Sequence, residues 1–106
     1  MYFVVDVTKG NREPSWWLYG DNHEMVAWAG ETFASASNAT RAALAFKSGA
    51  RFADYDIYKD AGGHWRWRAI RGGNKVAASG ESFSNEYNAR RAANNVRDNA
   101  SGATGP

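Results

Sequence analysis

Three short stretches of alternating apolar and polar residues, then one stretch with helical spacing, occur twice along the 106-residue chain. In the first strand-like stretch, Tyr2–Thr8, the apolar residues Phe3, Val5 and Val7 fall at every second position. Its counterpart Phe52–Lys59 carries Tyr55 and Ile57 in the same way. This period of two predicts half-buried strands. Further strands are predicted over Ser15–Tyr19 and His64–Ile70, then over Glu24–Trp28 and Lys75–Ala78. Between them lie Gly10-Asn11, Asp21-Asn22, Ala61-Gly62-Gly63 and Gly72-Gly73-Asn74, residues that tolerate the backbone of tight turns. The period then changes. Ala39, Ala42, Ala43 and Phe46 follow i, i+3, i+4, i+7 spacing, as do Ala89, Ala92, Ala93 and Val96. Ser35 and Asn85 are suited to cap these two helices, and Gly49 and Asn99 sit where a left-handed C-cap would end them.

Sliding the chain by fifty positions, with no gap, aligns residues 1–50 with 51–100. Among the identities are Asp6/Asp56, Trp17/Trp67, Gly30/Gly80, Glu31/Glu81, Phe33/Phe83, Asn38/Asn88 and Arg41/Arg91. A repeat this regular predicts an α+β fold: two tandem strand-strand-strand-helix repeats sharing one antiparallel sheet, with the helices packed on one face. Either half alone would bury too little surface to be stable. The two therefore share a core, or each pairs with a copy on another chain. The chain reads as one domain, 1–106, with a flexible tail over 101–106. On this alignment Trp17 and Trp67 face the helices, each contributing on the scale of the ~3–5 kcal/mol lost when a core Trp becomes Ala. Phe33, Phe83, Asn38 and Asn88 read as structural positions, the two Asn hydrogen-bonding backbone near the helix starts.

If Trp17 and Trp67 point inward, then Trp16, Leu18, Arg66 and Arg68 point outward, joined by Tyr58 on the neighbouring strand. Trp16, Leu18, Tyr58, Arg66 and Arg68 are thus a candidate binding face. Basic residues interleaved with aromatics on an open sheet can hold single-stranded nucleic acid. The competing expectation, which the charges favour, is that Arg66 and Arg68 pair with Asp56 and Glu81-type neighbours across strands. An exposed Trp16–Leu18 patch would instead suit a homodimer contact.

Composition and charge narrow the chemistry. There is no cysteine, which excludes disulfides and thiolate metal sites. Two histidines, His23 and His64, cannot make an ordinary zinc site unaided, and no metal or cofactor is expected. Residues 1–50 carry four basic and five acidic side chains, and residues 51–106 nine and six, so the second half is the basic one. Glu31 and Glu81 recur, but each precedes a helix, where a carboxylate favours the N-terminus and Arg41 or Arg91 can reach it. The glycine pairs lack the strand–glycine–helix context of a phosphate loop. The expectation is a non-enzyme. No apolar run approaches a membrane span, and no basic-then-apolar leader opens the sequence, so a cytoplasmic setting is expected.

The second half also resembles a known family. Tyr58-Lys59-Asp60 leads into a glycine turn and the strand His64-Trp65-Arg66-Trp67-Arg68. Then come Gly73-Asn74, Val76-Ala77-Ala78-Ser79, Glu81 with Phe83, and a helix with Asn88-Ala89 that ends Val96-Arg97. The first half keeps Glu31, Phe33, Ser35, Ala39 and Phe46-Lys47 in the same frame. This pattern resembles the YegP-like tandem-repeat proteins of unknown function. The resemblance implies a single antiparallel sheet built from both copies, with helices on one side. It also implies an extra strand after each helix, exchangeable between repeats or subunits. Ala50–Ala53 could supply that strand for the first copy, whereas Ser101–Pro106 has the composition of a poor strand. The family brings no catalytic residues to carry over.

Overall fold

The computed structural model describes residues 1–106. The first unit comprises β1 (Tyr2–Val7), β2 (Pro14–Tyr19), β3 (Met25–Trp28) and helix α1 (Ala36–Gly49). The second comprises β4 (Asp54–Lys59), β5 (Trp65–Arg71), β6 (Asn74–Ala78) and α2 (Glu86–Asn99). All six strands form one antiparallel sheet in the order β1-β2-β3-β6-β5-β4. The units therefore meet at β3–β6, where Trp28 pairs with Ala78. Both helices lie on one face, and sixteen buried residues drawn from both units make a single core.

The alanine faces explain how the helices dock. Ala39, Ala43, Ala89 and Ala93 are buried, so each helix approaches the sheet closely with no large side chain in the way. Larger groups fill the ends. Phe46 stacks on Trp16 at 5.2 Å between ring centroids, and Phe3 meets Trp16 edge-on at 5.5 Å. Ser35 and Asn85 cap the helices as the sequence predicts, accepting from the amides of Asn38 and Asn88. The amides rather than the side chains of Asn38 and Asn88 thus carry the cap. The Asn38 Oδ1 accepts instead from Arg41.

The gapless alignment misplaces the first two strands. Val5 pairs with Trp16 eleven residues on, whereas Ile57 pairs with Trp67 ten residues on. Leu18 pairs with Ala27 nine residues on, whereas Ala69 pairs with Ala77 eight residues on. Each hairpin of the first unit is one residue longer. Equivalent positions are therefore 52 apart in β1 and β4, 51 apart in β2 and β5, and 50 apart from β3 onward. In a strand, a slip of one residue reverses every side chain. The counterpart of Trp67 is Trp16, not Trp17. Trp16, Leu18 and Trp67 are all fully buried beneath the helices, while Trp17 lies on the opposite face. Trp16 and Leu18 are accordingly removed from the outward candidate face, and Trp17 from the core. The buried indole N–H of Trp67 meets no acceptor.

The helix exits also differ from expectation. Gly49 and Asn99 have φ of −110° and −117°, and the chain continues into 3-10 turns at Ala50–Phe52 and Ala100–Gly102 rather than reversing through a left-handed cap. Ala50–Ala53 is thus a turn and its exit, not an extra strand. Residues 101–106, read above as a loose tail, lie along β1. The Ser101 hydroxyl donates to the Lys47 carbonyl at 3.0 Å, and Ala103 is buried. The Thr104 amide donates to the Met1 carbonyl at 3.1 Å, and its own carbonyl accepts from the Phe3 amide at 2.9 Å. Beyond it, Lys47 Nζ donates to the Gly105 carbonyl at 2.9 Å. These bonds occupy part of a sheet edge that would otherwise present free backbone groups.

The register makes a direct prediction. Trp16→Ala is expected to cost about 3–5 kcal/mol of unfolding free energy. Trp17→Ala is expected to cost about 1–2 kcal/mol, the scale of one cross-strand aromatic pair with partial burial. Urea titrations of the two variants decide it, and equal losses would contradict the assigned faces.

Candidate functional site

The face away from the helices has no cover, and the register orders its side chains. One row crosses all six strands: Val4, Trp17, Trp28, Ala78, Arg68, Asp56. The part of this face in the first unit is aromatic. Trp17 and Trp28, directly cross-strand, stack at 6.4 Å with 18° between planes. Tyr2 and Tyr19, also directly opposite, stack at 5.4 Å. The Tyr2 hydroxyl lies 2.9 Å from His23 Nδ1. All of these rings except the exposed His23 are half-buried. A shallow hollow of about 310 Å³ opens beside them, lined by Val4, Asp6, Lys9, Trp17 and Tyr19.

The part in the second unit is charged, and its two arginines are paired. Arg68 Nε donates to Asp56 Oδ2 at 2.9 Å, and the guanidinium lies 4.5 Å over the Tyr58 ring. Arg66 Nε donates to Asp60 Oδ2 at 2.7 Å. Asp60 also accepts from the amides of Gly62 and His64, both at 2.9 Å. The Arg66 hydrogen bond, followed by the His64 amide, holds the Asp60 carboxyl below its ordinary range. Asp6, Asp54 and Asp56 stand on the same face as Arg66 and Arg68, so the face carries no net positive field.

Of the residues singled out from sequence, Tyr58, Arg66 and Arg68 come together on this face, and Trp16 and Leu18 do not. The pairing of Arg68 with Asp56 is as expected, while the partner of Arg66 is Asp60 rather than a Glu81-type neighbour. Glu31 and Glu81 form no ion pair with Arg41 or Arg91. Their carbonyls accept from the buried Ser15 and Ser79 hydroxyls at 2.7 and 2.8 Å. Arg91 instead lies 5.7 Å from the Tyr87 ring centroid. Sequence reasoning missed Trp28, Tyr19 and Tyr2 as neighbours of an outward Trp17. Counting the hairpin lengths separately would have found them.

The chain contains no group of three or more His, Cys, Asp or Glu side chains arranged to hold a metal ion. No helix is long and apolar enough to cross a membrane.

With this geometry in view, two solved structures are similar to the chain throughout. A UPF0339 protein of Shewanella oneidensis superposes with a TM-score of 0.79 at 12% identity, over 98% of this chain and 88% of its own. The protein YegP of E. coli, described as of unknown function, superposes with a TM-score of 0.79 at 13% identity, over 97% and 88%. At such identities the likeness is one of fold. No protein-family model and no curated protein sequence matches the chain.

Acid titration probes the paired half. The lowered pKa of Asp60 means that its contribution to stability is complete above the unfolded carboxyl value of about 3.9. That contribution fades as pH falls from there through the folded value. Asp60→Asn is therefore expected to lose stability at neutral pH and to show a shallower acid decline than the parent. Urea midpoints measured from pH 7 down to pH 2 check this, and parallel curves would contradict it.

Proposed function

We propose that this chain is a small non-enzymatic interaction module of the cytoplasm, its two units copies of one motif, and that it self-associates through the open sheet face. The observation that carries this reading is the stacked Trp17–Trp28 pair at the centre of an uncovered sheet. Monomeric proteins seldom leave contiguous aromatic surface of this kind uncovered.

The layout of the face supports a second copy as the partner. Aromatic rings occupy one half and guanidiniums the other. A two-fold contact with its axis along the strands lays each half on the opposite half of the other copy. Arg66 and Arg68 would then meet indole and phenol faces, an arrangement worth more as water leaves. The carboxylates already bound to each arginine keep those charges neutralised on burial.

A second reading, single-stranded nucleic acid on the same rings, draws on the indole stack beside Arg68. It is the weaker one, because the Nε of each arginine is already held by an aspartate and three aspartates share the face.

Sedimentation equilibrium tests the proposal. The parent protein is expected to show a mass that rises with concentration, and the Trp17→Glu, Trp28→Glu double variant to stay monomeric with unchanged circular dichroism. A parent that stays monomeric throughout, or a variant that associates equally well, overturns self-association through this face. Anisotropy with a labelled oligonucleotide at low and physiological salt tests the second reading, whose affinity must fall steeply with salt.

A further inference from the structure

The seam between the two units carries a groove on the helix side as well, and it occurs twice. One groove runs between α1 and β6, with Phe33, Ala42, Phe46 and Val76 as an apolar wall and a volume of about 230 Å³. Glu31, Arg71 and Lys75 stand at its mouth. Its counterpart, the α2 groove between α2 and β3, is split into two hollows that meet at Asn95, with Phe83 and Ala92 lining one and Val26 the other.

The mouths differ. Lys75 pairs with Ile70 as Met25 pairs with Tyr19, so Met25 is the counterpart of Lys75 and Gly20 that of Arg71. The α2 groove thus has no cation at either position. It has Asn95 where the α1 groove has Ala45, and Asp21 on its rim. One backbone arrangement therefore carries a cleft with two cations free of carboxylate partners on one side of the seam and, on the other, hollows whose charged groups are Arg91 and an Asp21 already bound to the Met1 ammonium at 2.9 Å.

The two cations are held in place without being neutralised. The Arg71 guanidinium lies over Gly49, where a Cβ would collide with it, at the negative end of the α1 dipole. Lys75 Nζ donates to the Gly30 carbonyl at 2.9 Å, which leaves two of its protons free. Unlike Arg66 and Arg68, neither has a carboxylate within ion-pair distance. With Glu31 beside them the mouth carries one net positive charge, which suits a monoanion better than a phosphate-rich ligand.

We propose that the α1–β6 groove binds a small aromatic carboxylate, its ring against Phe33, Phe46 and Val76 and its carboxylate held by Arg71 and Lys75. A dry cavity of about 150 Å³ is enough for benzene, so this one takes a ring with a short arm. The site is independent of the open sheet face on the other side of the molecule.

The test is a two-dimensional amide NMR titration with phenylacetate, alongside its neutral analogue phenylacetamide. For about ten heavy atoms the expected Kd is roughly 1 mM. Phenylacetate is expected to shift the amides of Phe33, Ala42, Ala45 and Val76. Phenylacetamide should bind about tenfold more weakly, and R71Q/K75Q should weaken phenylacetate by at least about tenfold. Ala45→Trp, which fills the cleft, should abolish the shifts. If that variant does not fold, R71Q/K75Q still decides, since both side chains are exposed. Equal binding of the amide, shifts confined to Trp17 and Trp28, or no shifts with millimolar phenylacetate each overturn the proposal.

Discussion

Beneath α1 the indole of Trp16 lies flat on Phe46, and beneath α2 the indole of Trp67 fills the matching place against Tyr55. Much else follows from seating these two side chains. A six-stranded sheet with helices on one face has one dry side, and period-two alternation then assigns every other strand residue to the wet side. Fixing Trp16 inward fixes Leu18 inward and Trp17 and Tyr19 outward. Fixing Trp67 inward sends Arg66 and Arg68 out. The contrast between an aromatic half and a charged half of the open face is thus a consequence of where the large core rings had to go.

The helices are the other half of that bargain. Because their inner faces are alanine, they settle close to the strands of their own unit and leave the seam to Phe33 and Val76 on one side and Phe83 and Val26 on the other. Both grooves follow from backbone geometry. Their difference in charge rests on a handful of substitutions at equivalent places, with Arg71 against Gly20 and Lys75 against Met25 foremost. Shared architecture with divergent lining is what separates a packing leftover from a surface with its own chemistry.

Much of this was legible in the sequence. Strand and helix periods placed the six strands and the two α-helices to within two residues, and the Ser35 and Asn85 caps were visible from residue type alone. The pairing of Arg68 with Asp56 could be anticipated because the two are opposite in any antiparallel register that also brings Ile57 to Trp67. What was not legible was the face of β2; the alignment slips β1 by two residues, which leaves its face as read. Fourteen identities under a gapless shift were a persuasive guide, and Trp17 over Trp67 the most persuasive of them. Yet Trp16 stands beside Trp17, so either could serve as the core ring, and the longer hairpins decide between them. The exits of the helices were also misread: Gly49 has room for a left-handed turn, but the chain uses its missing Cβ to admit the Arg71 guanidinium. That need arises from a residue twenty-two positions away and leaves no local trace.

The extra residue in each hairpin of the first unit acts as a selector. Relative to a gapless copy of the second unit, the residue added between Tyr19 and Met25 turns β2 over, and the one added between Val7 and Pro14 restores the face of β1. The two units, identical at only fourteen of fifty positions under the gapless shift, thereby keep an indole inward at Trp16 and Trp67 while different residues, Trp17 and Arg68, face the solvent. In such a fold an insertion or deletion in a turn is a change of surface, and its effects appear strands away from where the chain was lengthened.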